Sequence, residues 1–244
     1  MTPPPLVAVA HGSREPAAAE ATRSLLAAVR RARPKLVVHE TYLDHESPRL
    51  SELVSGTDSV GGIDGPFVVV PLLLGAAYHS RVDIPAALAP AQGRAVQAEV
   101  LGPDPLLLAA LERRLAEAGV PTGDPDTAVV LAASGSADES SVAGVRGLAE
   151  KWRSRGWWAV SAAFASAAEP SVERAVADLR AAGAPRVAVA TYLLFPGLFA
   201  DNLAAAAADV TSHPLADAPE IVALVLARYD AAAPGPTAPP LHHL

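Results

Sequence analysis

The sequence predicts an α/β protein of two tandem, similar domains, each a small, mainly parallel sheet flanked by helices, with an active site in the cleft between them. Three observations lead to this reading. Short apolar, β-branched runs alternate with Ala- and Leu-rich segments of helical period, the pattern of βα units. The pattern restarts at Val129. Several apolar runs end abruptly in polar residues, and open α/β sheets bind ligands outside the carboxyl ends of their strands.

The first unit opens with Leu6 to Pro16, LVAVAHGSREP, a buried parallel strand that stops at His11, Gly12, Ser13 and Arg14. Ala and Leu at helical spacing with Arg between them give an amphipathic helix from Glu15 to Arg33, ended by Pro34. Lys35 to Leu43 reads as the second strand, followed by Asp44-His45-Glu46-Ser47-Pro48, with Pro48 suited to the first turn of a short helix. Gly-rich Ser55 to Gly65 is a loop into Phe67 to Leu74, the most apolar strand. Beyond it Gly75 to Pro85 is a polar loop that becomes helical. Ala95 to Leu101 is a fourth strand and Asp104 to Ala118 a helix.

The second unit echoes the first. Val129 to Ser136 matches Val7 to Ser13, Phe164 to Pro170 matches Tyr42 to Pro48, and Val187 to Leu194 matches Val68 to Leu74. Nearly constant spacing implies duplication, with domains at 1–122 and 123–232 and a Pro-rich, unstructured tail at 233–244. In the second copy Ser134 replaces His11, Ser166 replaces Asp44 and Phe199 replaces His79, while Gly135 and Pro170 are kept. One half therefore keeps the chemistry and the other serves as a wall or lid.

Composition narrows the chemistry. The chain has 244 residues, 51% apolar and 18% charged, enough for one large or two small cores. A formal charge of −7 with two lysines gives no support to nucleic-acid binding. With no cysteine, any metal is held by His, Asp, Glu or backbone oxygen. The N-terminal MTPPPLVAVAH has no basic leader and no apolar run reaches bilayer length, so the expected location is the cytoplasm, with no membrane partner.

Three strands end at His11, at Asp44 and before the His79 loop, which aligns these side chains along one sheet edge. Neutral imidazole and carboxylate suit Fe(II), Co(II), Ni(II) or Zn(II), and two or three protein ligands leave positions open, as a labile site requires. Each residue has a plainer reading as well: a hydrogen-bonded structural histidine for His11 or His79, a helix cap for Asp44. His45 is a substitute ligand one residue on, and His39 belongs to the other strand face. Arg14 and Arg81 either pair with substrate carboxylates or are exposed arginines at helix starts. Trp152, Trp157 and Trp158 read as packing, and His242 and His243 as part of a solvated tail. A histidine phosphatase would carry Arg before His-Gly, where this chain has Ala10, and no G-x-G-x-x-G or Walker loop follows any strand.

With HGSR at His11 to Arg14, the YLD element ending at Asp44, PLLLGAAYHSRVDIP at Pro71 to Pro85 and LGPDPLL at Leu101 to Leu107, the sequence resembles the class II sirohydrochlorin chelatases over nearly its whole length. The resemblance implies ATP-independent insertion of Fe2+ or Co2+ into sirohydrochlorin, an octacarboxylate tetrapyrrole, for sirohaem or cobalamin synthesis, with no organic cofactor. It maps the family's two metal-binding histidines onto His11 and His79, and its acidic residue onto Asp44, where the longer Glu is more usual. Gly12, Ser13, Arg14, Tyr78 and Arg81 are the candidates for binding the tetrapyrrole. The competing expectation is a non-catalytic metal or tetrapyrrole carrier with the same ligands.

Overall fold

A computed structural model describes residues 3–56, 62–76 and 78–233. The first half runs β1 (Leu6–Ala10), α1 (Pro16–Ala32), β2 (Val38–Tyr42), α2 (Leu50–Ser55), β3 (Phe67–Pro71), a π-turn (His79–Asp83), α3 (Ile84–Leu88), β4 (Ala95–Gln97) and α4 (Pro105–Glu117). The second runs β5 (Thr127–Ala133), α5 (Glu139–Arg153), β6 (Ala159–Phe164), α6 (Val172–Ala181), β7 (Arg186–Tyr192), α7 (Leu198–Ala204), β8 (Val210–Thr211) and α8 (Pro219–Ala232). The strands form two parallel four-stranded sheets of order β2-β1-β3-β4 and β6-β5-β7-β8. Both match the α/β expectation. β1, β3 and β5 are buried along their whole length, which is why their sequences are continuous apolar runs rather than alternating ones.

In each sheet the chain steps from its first strand to one side and then to the other. The first strand and the third are therefore neighbours, and the crevice at their carboxyl ends is the topological switch point. β1 delivers His11 to that point and β3 leads to His79.

The duplication is visible in detail. Gly12 and Gly135 both take a left-handed φ, +90° and +89°. A Cβ on Gly12 would lie 1.9 Å from the Asp44 carbonyl oxygen, and one on Gly135 1.8 Å from that of Ser166, so only glycine fits either turn. Residues one step on, His45 and Ala167, also share a positive φ.

Several boundaries differ from the sequence expectation. The second strand starts at Val38 because the chain first turns, with the Leu36 N–H donating to the Arg33 carbonyl. Pro48 precedes α2 instead of opening it. Its carbonyl accepts the Tyr42 N–H and Arg49 bridges to Tyr42, so sheet-like pairing persists until Leu50. The fourth strand stops at Gln97 rather than Leu101. Helix α8 runs to Ala232, the last residue before the stretch read as tail. Most of that tail, with His242 and His243, and residues 57–61 of the Gly-rich loop lie outside the described residues.

The two halves share one large apolar core that includes Leu25, Leu107, Leu111, Trp152 and Leu224. Helix α4 packs against β7, and α8 against β3 and α1, so each half lends its last helix to the other half's sheet. Polar ties reinforce the exchange. Arg228 of α8 donates to the carbonyls of Val100 (2.8 Å) and Leu101 (2.9 Å) and to the Asp104 carboxylate (2.9 Å). Trp152 and Trp157 meet edge to face at 5.7 Å within this core, as the packing reading expects, whereas Trp158 is exposed and does not share in it. Among the described residues no helix is long and apolar enough to cross a membrane.

Candidate metal centre

His11 emerges from β1 as the strand leaves the sheet. The Asp44 N–H donates to its carbonyl (3.0 Å), and the flat approach of Gly12 to the Asp44 carbonyl holds the turn. His79 opens the π-turn that follows β3. Pro85 explains that wider turn: it has no N–H for the Arg81 carbonyl, and its ring would crowd the same group in an ordinary α-turn. The Ile84 N–H reaches back to the His79 carbonyl instead. Gln97 from β4 donates its side-chain amide to the Ser80 carbonyl at 2.8 Å. The turn is thereby fixed from both sides.

The imidazole rings of His11 and His79 lie 4.4 Å apart between centroids, tilted by 34°. An imidazole nitrogen stands about 2.1 Å from a divalent ion, so a ring centroid stands about 3.2 Å away, and two rings on one ion are at most about 6.4 Å apart. The observed separation lies within that reach. His45 lies 6.3 Å from His11, at the limit of that reach. His11 remains exposed to the cleft. Loss of water around the ring, then the neighbouring His79, hold its pKa below the ordinary 6.5, so the nitrogen lone pair stays available near neutrality. His79 Nδ1 lies 2.6 Å from Asp83 Oδ2.

Asp44 lines a cavity of about 400 Å³ together with His11, His79 and Asp83. Its carboxylate is nevertheless engaged locally, accepting the His45 N–H at 2.8 Å and pairing with Arg49 at 3.2 Å. The His45 N–H, first, and the nearby His45, Arg49 and His11 side chains hold its pKa below the usual carboxylate range. Among the described residues no group of three or more His, Asp or Glu side chains is arranged to hold one metal ion. Two of the three expected arms converge, and Asp44 does not complete a three-donor group with them.

The histidine pair opens onto a cleft of about 790 Å³ between the halves. Tyr78, Arg81 and Val82 line one wall, and Ser134, Ser136 and Phe199 belong to the other half. Four of the seven large hydrophobic side chains left exposed among the described residues stand around this region: Tyr78, Val82, Leu198 and Phe199. Exposed apolar groups concentrated around a cleft of this volume suit a ligand with a broad apolar face. Phe199, matched to His79 by the repeat, lines the same cleft as His79.

Of the expected tetrapyrrole contacts, Gly12 and Ser13 line a second, apolar cavity of about 380 Å³ behind His11. Tyr78 and Arg81 line the main cleft. Arg81 crosses it to Asp138, the cap of α5 (2.7 Å), and to Ser140 (3.0 Å). Arg14 lines none of the three cavities that meet at His11. Sequence reasoning did not single out Asp83 or Leu198. Asp83 was detectable as the acidic residue four places after His79 on a turn that becomes helical. Leu198 carried no such signal.

Comparison with known proteins adds a lineage to this geometry. A family model described as CbiX matches residues 5–118 and 128–232, one match in each half. A sirohydrochlorin cobaltochelatase of Priestia megaterium is 27% identical over 204 residues, covering 80% of this chain and 65% of that protein. This chain therefore spans less than two thirds of that relative's length. A sirohydrochlorin ferrochelatase of the same organism is 25% identical over 201 residues, covering 80% and 74%. Among solved structures, SirB from Bacillus subtilis with Fe3+ superposes with a TM-score of 0.74 at 22% identity, covering 95% of this chain and 96% of that one, a likeness of fold.

Proposed function

This chain belongs to the CbiX family, and we propose that it inserts a divalent metal, Fe2+ or Co2+, into sirohydrochlorin without ATP. The observation that carries the reading is the pair of imidazoles, 4.4 Å apart, at the edge of a cleft of about 790 Å³. Its two curated relatives are named for the same substrate with cobalt and with iron. N/O donors serve either ion, so metal supply decides between them.

In this reading residues 1–122 carry the ligands and 123–232 form the opposing wall. His11 and His79 bind a partly hydrated ion, a donor set that keeps positions open and releases its cargo. The macrocycle lies in the cleft with its apolar faces against Tyr78, Val82 and Phe199. Pyrrole nitrogens replace water and then imidazole on the ion. Two pyrrole protons leave, and Asp44 or a histidine free of metal accepts them by general-base action. Asp44 is already ionised near neutrality, as an acceptor must be. Arg81 anchors a substrate carboxylate by exchanging it for Asp138, which offsets the repulsion between an acidic protein and an octacarboxylate.

The test follows the absorbance of sirohydrochlorin on addition of Fe2+ or Co2+. His11→Ala and His79→Ala are each expected to abolish metal insertion in a folded protein, while Ser134→Ala leaves the rate nearly unchanged. Full rates in both histidine variants refute the ligand assignment. Stoichiometric binding of metal or tetrapyrrole without accelerated insertion identifies a carrier instead.

A further inference from the structure

We propose that Asp83 is a positioning residue that fixes the ring of His79 for metal, an inference resting on the reading of His79 as a ligand. A carboxylate only accepts hydrogen bonds, so the 2.6 Å contact between Asp83 Oδ2 and His79 Nδ1 puts the imidazole proton on Nδ1. The lone pair is then left on Nε2, the nitrogen free to meet an ion. Histidine ligands elsewhere are commonly held in this way, with the second ring nitrogen donating to a carboxylate.

Two further observations support the role. The π-turn that carries both residues is pinned by the Ile84 N–H on the His79 carbonyl and by the Gln97 amide on the Ser80 carbonyl, so the couple sits on fixed backbone. The repeat supplies the second. The register that pairs β3 with β1 and β7 with β5 matches His79 with Phe199 and Asp83 with Leu203, which is buried. The second copy lacks the imidazole and the carboxylate together and carries two apolar side chains at the same positions. A carboxylate retained only to stabilise the turn has no reason to be absent in step with its histidine.

The experiment uses the full chain in two measurements. Nitrogen-15 NMR of the His79 ring at pH 8 without metal reads the tautomer, and Co2+ titration reads affinity. The native chain is expected to show Nδ1–H. Asp83→Asn keeps the shape but offers an amide N–H to Nδ1, so it shifts the proton toward Nε2 and weakens Co2+ binding about 10–100-fold. Asp83→Glu, which retains a charged acceptor, recovers part of the affinity and stands in if the Asn variant does not fold. A native ring protonated at Nε2, or Co2+ affinity in Asp83→Asn within twofold of native, overturns the proposal. Native Co2+ affinity in His79→Ala with Nδ1–H intact in the parent chain overturns the ligand reading while leaving the hydrogen bond standing.

Discussion

Replacing Gly12 by alanine tests the link between the duplicated scaffold and the chemistry of one half. The new Cβ would lie 1.9 Å from the Asp44 carbonyl oxygen, so that carbonyl must retreat by about 1 Å. Holding a Cβ-bearing residue at φ +90° costs about 1–2 kcal/mol, and relieving the overlap about 1–3 kcal/mol. Together these give about 2–5 kcal/mol, or a melting temperature lower by about 5–15 °C for a chain of this size. The Asp44 N–H holds the His11 carbonyl at 3.0 Å, so the same movement shifts His11, the residue proposed to bind metal. A misplacement of about 1 Å costs on the order of 100-fold in rate. Gly135→Ala is the internal control, with nearly the same φ and a Cβ 1.8 Å from the Ser166 carbonyl but Ser134 rather than a histidine beside it. Thermal unfolding by circular dichroism and metal insertion by absorbance are measured for both variants. The expected result is similar destabilisation in both and loss of insertion in Gly12→Ala alone. Equal loss of insertion in both, or a Gly12→Ala protein with native melting, refutes the reasoning.

Two further outcomes follow from the geometry. Arg228→Ala strips two carbonyls and the Asp104 carboxylate of a charged donor at the junction of the halves, and should lower stability by about 2–4 kcal/mol in urea unfolding; a change under about 0.5 kcal/mol would show that the exchanged helices hold without it. The His11 ring, titrated by NMR, should change charge at a pH below 6.5, and at a higher pH in His79→Ala than in the native chain, since His79 contributes to the depression; a native midpoint at or above 6.5 contradicts the assignment. The sign for folding is fixed by the same shift. As pH falls below about 6.5 the unfolded chain takes up a proton that folded His11 refuses, so its contribution to stability declines until the folded ring is protonated too.

Much of this was legible in the residues themselves. Continuous apolar runs at Leu6–Ala10 and Phe67–Pro71 announced buried parallel strands, and the restart at Val129 announced the second sheet. Gly12 and Gly135 marked equivalent turns. His11 and His79 stood out because each follows such a strand and is absent from the repeat. The helical stretch at Pro219–Ala232 was not read, because its apolar residues surround the helix rather than forming a stripe, and the neighbour it covers belongs to the other half.

Local pattern thus determined the fold class, the repeat and the two histidines, because strand burial, turn geometry and helix period are encoded over a few neighbouring residues. Tertiary structure decided which strands lie side by side. An apolar parallel strand fits any equally apolar partner, and only the assembled order β2-β1-β3-β4 brings the ends of β1 and β3 together and sets two imidazoles 4.4 Å apart. It also decided where the carboxylates point. Asp44 turns to Arg49 and the His45 N–H, while Asp83 meets His79, since each acidic group settles on the nearest donor the folded backbone offers.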